Sequence, residues 1–168
     1  MKEKHKKKDR FIESYDKYAN DIFRYCTYRV FDRERAKELM QETFTKTWEY
    51  LEKDNEIENT RAFLYKVAHN LCVNEIIRPK AFSLDEMKEK TDFDPADKEA
   101  RKPGTNVEIS LLLKKMETLS PKDREILKLR YIDDLAVSDI AKILNMIPNT
   151  VSVKIRRAEE FLKGLYDK

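Results

Sequence analysis

The stretch SDIAKILNMIPNTVSVKIRRAEEFL, Ser138 to Leu162, decides the fold. Its apolar residues recur at steps of three and four, the period of helices with one buried side. The run breaks at Asn145-Met146-Ile147 and resumes at Pro148, a residue suited to a first helical turn. Ala141 is small where two crossing helices must approach, and Asn145 tolerates a left-handed turn better than most residues. Val151 and Ile155 are expected to pack on Ile140 and Leu144. That leaves Asn149, Ser152, Val153, Arg156 and Arg157 on the outer side of the last helix. The spacing is that of a helix-turn-helix. Such a helix fits the DNA major groove, where arginine reads guanine edges or clamps phosphates.

Working upstream, Ser120-Pro121-Lys122-Asp123 is a start signal: serine caps, proline fits the first turn, and the acid can reach back to the cap. Ile126, Leu127, Leu129 and Tyr131 continue that helix, and Asp133-Asp134 makes a turn. Val137–Leu144 follows as a short helix with Ile140, Ala141 and Leu144 inward. Before Ser120, the residues Ile109, Leu112, Leu113 and Met116 give one more helix.

The N-terminal half repeats the helical period. Phe11, Tyr15, Tyr18, Ile22, Tyr25 and Cys26 form one stripe; Ala36, Leu39, Met40, Phe44, Trp48 and Leu51 form a second. DNEIEN, residues 54–59, interrupts, and Asn59 or Thr60 can cap a third helix with Phe63, Leu64, Val67, Ala68, Leu71 and Cys72 inward. Pro79 stops it and disfavours helix at Arg78. Between Lys80 and Thr105 the period dissolves among charges and prolines, which predicts a linker, with some local helix around Asp85–Lys90. The expectation is an all-α protein of two small helical domains, 10–78 and 106–168, joined by a linker at 79–105.

Composition agrees with exposed helices: 40% of the 168 residues are charged and only 2 are glycine. The formal net charge of +3 does not exclude DNA binding, because local placement of charge decides it. Cys26 and Cys72 lack metal-ligand spacing and sit among apolar neighbours, so buried, reduced thiols in a cytoplasmic protein are expected. No apolar run reaches the ~18 residues of a membrane span, so no membrane insertion is expected. The start MKEKHKKKDR is basic without a hydrophobic stretch behind it; it reads as a frayed arm and not a signal peptide, able to touch DNA phosphates but better explained as a solvated charge run. The chain has no glycine-rich phosphate loop, no clustered His, Cys and acid ligands and no nucleophile motif. Neither catalytic residues nor a metal or cofactor is expected.

Two separated motifs converge on one family. DRERAKELMQETFTKTWEYL, Asp32 to Leu51, and TRAFLYKVAHNLCVNEIIR, Thr60 to Arg78, resemble the sigma-70 family in its group IV, or extracytoplasmic-function, form. The resemblance covers residues 11–78 and 106–166 and implies a sigma factor: a region 2-like bundle, a region 4-like helix-turn-helix, and partnership with bacterial core RNA polymerase and promoter DNA. The first motif is similar to the family's polymerase-docking helix, which implies core-polymerase contacts through Glu38, Leu39, Gln41, Glu42, Phe44 and Thr45. Of these, Leu39 and Phe44 mostly serve the bundle core, while Glu38, Gln41, Glu42 and Thr45 stand outward. The second motif is similar to the segment that captures the non-template strand of the −10 element. It implies contacts by Asn59, Arg61, Lys66, Asn70 and Arg78, with Asn70 matching the family's asparagine and Lys66 and Arg78 holding phosphates. His69 stands where arginine is frequent.

By the same resemblance, Asn149, Thr150, Ser152, Val153, Lys154, Arg156 and Arg157 are the −35 contacts. The family often reads Gly-Thr-Val-Lys-Ser-Arg there, so −35 specificity does not carry over. Asp134 replaces the usual glycine and Ala136 the usual capping serine, a change worth ~1 kcal/mol. An extended linker of about 26 residues reaches ~85 Å, more than the 50–60 Å or so implied between the two promoter elements. An anti-sigma factor is a further partner implied by the family. The rival expectation is a helix-turn-helix regulator that works without polymerase.

Overall fold

The computed structural model describes residues 2–78, 111 and 114–166. All regular structure among them is helical, in two compact units, Met1–Phe93 and Asp94–Lys168. The linker expected at 79–105, its local helix at Asp85–Lys90, and the apolar positions Ile109, Leu112 and Leu113 lie outside the described residues.

In the first unit, α1 (Lys2–Val30), α2 (Arg33–Glu52) and α3 (Thr60–Ile77) pack on one another. Ile22, Tyr25 and Cys26 of α1, Ala36, Leu39 and Phe44 of α2, and Leu64, Tyr65, Ala68 and Cys72 of α3 are buried. Aromatic rings tie the helices together: Phe11 meets Trp48 at 5.0 Å, Tyr15 meets Phe44 edge-on at 4.8 Å, and Tyr25 meets Tyr65 edge-on at 5.3 Å. Truncating a side chain such as Leu39 to alanine would cost roughly 2–5 kcal/mol, because the bundle cannot close over the void. Thr43 and Thr47 are buried without penalty, since each hydroxyl donates to the carbonyl four residues back, at 2.7 and 2.8 Å.

Local chemistry sets the helix limits. Asp32 caps α2 through Arg35 N–H at 3.0 Å, and Asn59 caps α3 through Ala62 N–H at 3.0 Å. The first helix corrects the sequence reading: the basic N-terminal segment is the beginning of α1, continuous from Lys2, and not a frayed arm. Lysine, arginine and glutamate are good helix formers, and the segment contains neither glycine nor proline.

In the second unit, residues 114–116 are helical, and α4 (Pro121–Tyr131), α5 (Val137–Leu144) and α6 (Pro148–Tyr166) pack mutually. Its core holds Met116, Ile126, Leu129, Leu135, Ile140, Ile143, Val151 and Ala158. Leu144, expected inward, is half-buried while Ile143 is 1% exposed. The left-handed turn begins at the very next residue, Asn145 (φ 52°, ψ 50°), so the end of α5 is set by that turn and not by an extended heptad. Asp134, in the place of the usual glycine, is left-handed as well, with φ 50°. Arg124 gathers the carbonyls of Met116, Glu117 and Leu119, fastening the approach to α4.

Candidate nucleic-acid and protein interfaces

The second helix of the helix-turn-helix is α6, after the left-handed turn at Asn145. Its buried side is Val151, Ile155, Ala158 and Leu162. At about 100° per residue, Asn149, Ser152, Val153 and Arg156 fall on a single opposite face, with Thr150 and Arg157 at its margin. Asn149, Thr150, Ser152, Arg156 and Arg157 are exposed, and Val153 is half-buried. Lys154 lies off that face. Its ammonium binds Asp123 at 2.8 Å, tying α6 to the start of α4. Asp123 also accepts from the Ser120 hydroxyl at 2.7 Å while its own N–H donates back at 3.2 Å. Lys154 therefore braces the helix from within, which its place five residues after Asn149 already signals. Arg130 adds a second brace by donating to Leu135 O at 2.9 Å in the turn before α5.

In the first unit the exposed face of α2 presents Glu38, Gln41 and Thr45, with Glu42 half-buried. Leu39 and Phe44 are 1% and 3% exposed, so they support this face from inside the bundle. Thr45 donates to Gln41 O at 3.0 Å, and Glu42 stands 3.8 Å from Lys46. Arg35 binds Glu38 at 2.6 Å and, across the groove, Glu75 of α3 at 2.9 Å. The two carboxylates, Glu75 first, hold its guanidinium firmly charged.

On α3, Asn59, Lys66 and Asn70 share one side by helical spacing, whereas Arg61 lies about 140° round from Lys66. Asn59 and Asn70 are exposed; Lys66 is half-buried, and that burial lowers its ammonium from the usual lysine range. Asn59 is already engaged as the α3 cap. Arg61 sits over the Tyr65 ring, 5.6 Å from its centroid. Arg78 is exposed and closes α3, with its N–H on Asn74 O. His69 is paired with the Tyr25 hydroxyl through Nδ1 at 3.0 Å, a link between α1 and α3 that occupies the side chain. The periodicity could not reveal that pairing, since the residues stand 44 positions apart.

A cleft of about 560 Å³ opens beside the start of α3. Phe11, Tyr18, Leu51 and Ile57 supply its apolar surface, and Lys6, Lys7, Arg10 and Lys17 enter from α1. The loop before α3 contributes Asn55, Glu56 and Glu58, and Lys7 reaches Asp54 of that loop at 3.1 Å. Sequence reading missed this cleft, because it treated residues 1–10, which supply Lys6, Lys7 and Arg10, as a frayed arm. Among the described residues no group of His, Cys, Asp and Glu could hold a metal ion, and no helix is long and apolar enough to cross a membrane.

Comparison with known proteins adds a consistent set of likenesses. A model described as Sigma-70 region 2 matches residues 14–80, and one described as Sigma-70, region 4 matches residues 109–162. The chain is 27% identical over 164 residues to the ECF RNA polymerase sigma factor SigW of Bacillus subtilis, covering 92% of this chain and 88% of that protein. It is 26% identical over 162 residues to SigM of the same organism, with coverage of 93% and 94%. In fold it is similar to the sigma factor RpoE of Bartonella quintana, solved with the anti-sigma factor NepR (TM-score 0.62, 17% identity, 94% and 96% coverage).

Proposed function

The chain belongs to the sigma-70 family, as an extracytoplasmic-function sigma factor, and from that premise we propose a division of labour between its two helical units. It is a transcription-initiation factor that works with RNA polymerase on promoter DNA. A regulator that acts without polymerase is not favoured, because the N-terminal unit carries the region 2 match in addition to the helix-turn-helix.

In the proposal, residues 10–78 dock on core polymerase and engage the −10 element, residues 106–168 read the −35 element, and residues 79–105 connect them. On α2 the docking contacts are Glu38, Gln41, Glu42 and Thr45, with Leu39 and Phe44 shaping the surface from beneath. An outward polar strip over an apolar core suits a stable interface with a charged rim. On α3, Asn70 reads a base of the displaced strand, Asn59 shapes the loop that enters the helix, and Lys66, Arg61 and Arg78 hold phosphates. On α6, Asn149, Ser152, Val153 and Arg156 meet base edges, while Thr150 and Arg157 meet the backbone. Lys154 supports that helix through Asp123. The compartment is the cytoplasm, and an anti-sigma factor is a partner that would cover the docking face, as RpoE was solved with NepR. No catalytic step is assigned.

The observation that carries this reading is the α6 face: side chains that reach outward at one helical angle, on a helix anchored by Val151, Ile155 and the Lys154–Asp123 pair. Run-off transcription from a random-promoter library tests it. Core polymerase with this chain should initiate at a defined promoter class and core alone should not. Failure of the chain to bind core would remove the reading.

A further inference from the structure

We infer that the N-terminal half of α1 is a phosphate track for the displaced DNA strand, with Lys6, Arg10 and Lys17 as its contacts. The inference rests on the reading above that the α3 end and its preceding loop handle single-stranded DNA.

The cleft described beside α3 is bipolar. Lys6, Lys7, Arg10 and Lys17 come from α1, whereas Glu56 and Glu58 come from the loop, with Glu13 on α1 itself. Only Lys7 is engaged by the loop, through Asp54. Lys6 and Arg10 are exposed and have no hydrogen bond or ion pair among the described residues. Lys17 is exposed, its ammonium 5.3 Å from the Tyr18 ring centroid. If the cations existed to neutralise the acidic loop, they would be expected to pair with it as Lys7 does.

Geometry favours an extended polyanion. Lys6, Arg10 and Lys17 are four and seven residues apart and so share one helical face. They span about 16 Å at ~1.5 Å per residue, room for several phosphates of one strand. Phe11 and Tyr18, which directly follow Arg10 and Lys17, line the cleft beside this face, and aromatic faces next to a cationic groove are the usual means of holding single strands without sequence preference. Glu56 and Glu58 repel phosphate from the loop wall, which confines the backbone to the α1 side. Thr60, at the start of α3, also lines the cleft, so the track leads to the helix that carries Asn70.

The test uses holoenzyme assembled from core polymerase and the full chain, with a labelled single-stranded DNA bearing the non-template −10 sequence of a promoter found by run-off selection. Binding is measured at several salt concentrations. The variant K6A/R10A/K17A leaves Lys7 in place, and alanine preserves helix. It should weaken binding about tenfold at 0.15 M salt or so, equally for matched and scrambled strands. The slope of log affinity against log salt should fall by up to ~2, at ~0.7 per phosphate contact. The charge-preserving variant K6R/R10K/K17R should bind like the parent. Unchanged affinity and slope in K6A/R10A/K17A, while the parent holds the strand, would overturn the track and leave the proposed function standing. A parent holoenzyme that ignores the strand would overturn both. Loss of core binding or of circular-dichroism helicity in the alanine variant moves the comparison to the single K6A and R10A proteins. If those leave the slope unchanged, the track is likewise overturned.

Discussion

Lys154 of α6 binds Asp123 of α4 at 2.8 Å, across 31 positions of sequence. The pair sets α6 against the start of α4. Lys154, foremost, and Ser120 hold the Asp123 carboxyl below the usual carboxylate range, against the opposing effect of burial. A carboxyl lowered by folding stabilises the folded state above its unfolded value of ~3.9, and that contribution is lost as pH falls through the lower folded value. Lys154→Ala should therefore cost about 0.5–1 kcal/mol at neutral pH, with the difference from the parent shrinking toward pH ~2. Urea titrations at both pH values check this. A deficit that does not change with pH would show that packing of the lysine stem, and not its charge, is what matters.

Ala136 caps α5 with extended geometry, φ −66° and ψ 150°, but without a side-chain hydrogen bond. It is exposed, so a hydroxyl can be added there without disturbing the core. Ala136→Ser should raise stability by ~1 kcal/mol, read as a higher Tm of the second unit's transition.

Replacing Arg156 and Arg157 together with alanine should reduce −35-dependent initiation at least tenfold while leaving affinity for core polymerase unchanged. Both side chains are exposed, so their removal leaves the core of the unit intact. Core affinity and promoter-specific transcription, measured on the same preparations, check it. Equal loss of both would point to damage to the fold.

The two thiols should be silent until the first unit opens. The thiol of Cys26 is pushed far up, first by its hydrogen bond with Cys72 and then by burial, so little reactive thiolate forms near neutral pH. Both cysteines are free and buried. Alkylation at pH ~8 should be at least a hundredfold slower in the native protein than in concentrated urea. Fast native labelling would contradict the burial described for α1 and α3.

Much of this architecture was legible because its determinants are local. Asn59 and Ser120 announce helix starts, and Asn145 announces the left-handed turn, each within a few residues of the event it controls. The outward set on α6 followed from the same angular arithmetic. Features built across long sequence separations stayed hidden: Tyr25 on His69, Arg35 on Glu75, and the cleft between α1 and the loop before α3. The basic start of α1 has no apolar stripe, so periodicity had nothing to register there, although its residue types favour helix. Ile143 took the buried place expected for Leu144 because α5 is only eight residues long and its last turn is steered by Asn145.

Arg35 grips Glu38 on the exposed side of α2 and Glu75 on α3 with one guanidinium. A single lesion at this position thus frees two acids at once, Glu38 on the exposed side of α2 and Glu75 where α3 faces α2. In a genetic screen, Arg35 alleles should therefore behave as a loosened α2–α3 clamp, and second-site suppressors should arise at either glutamate.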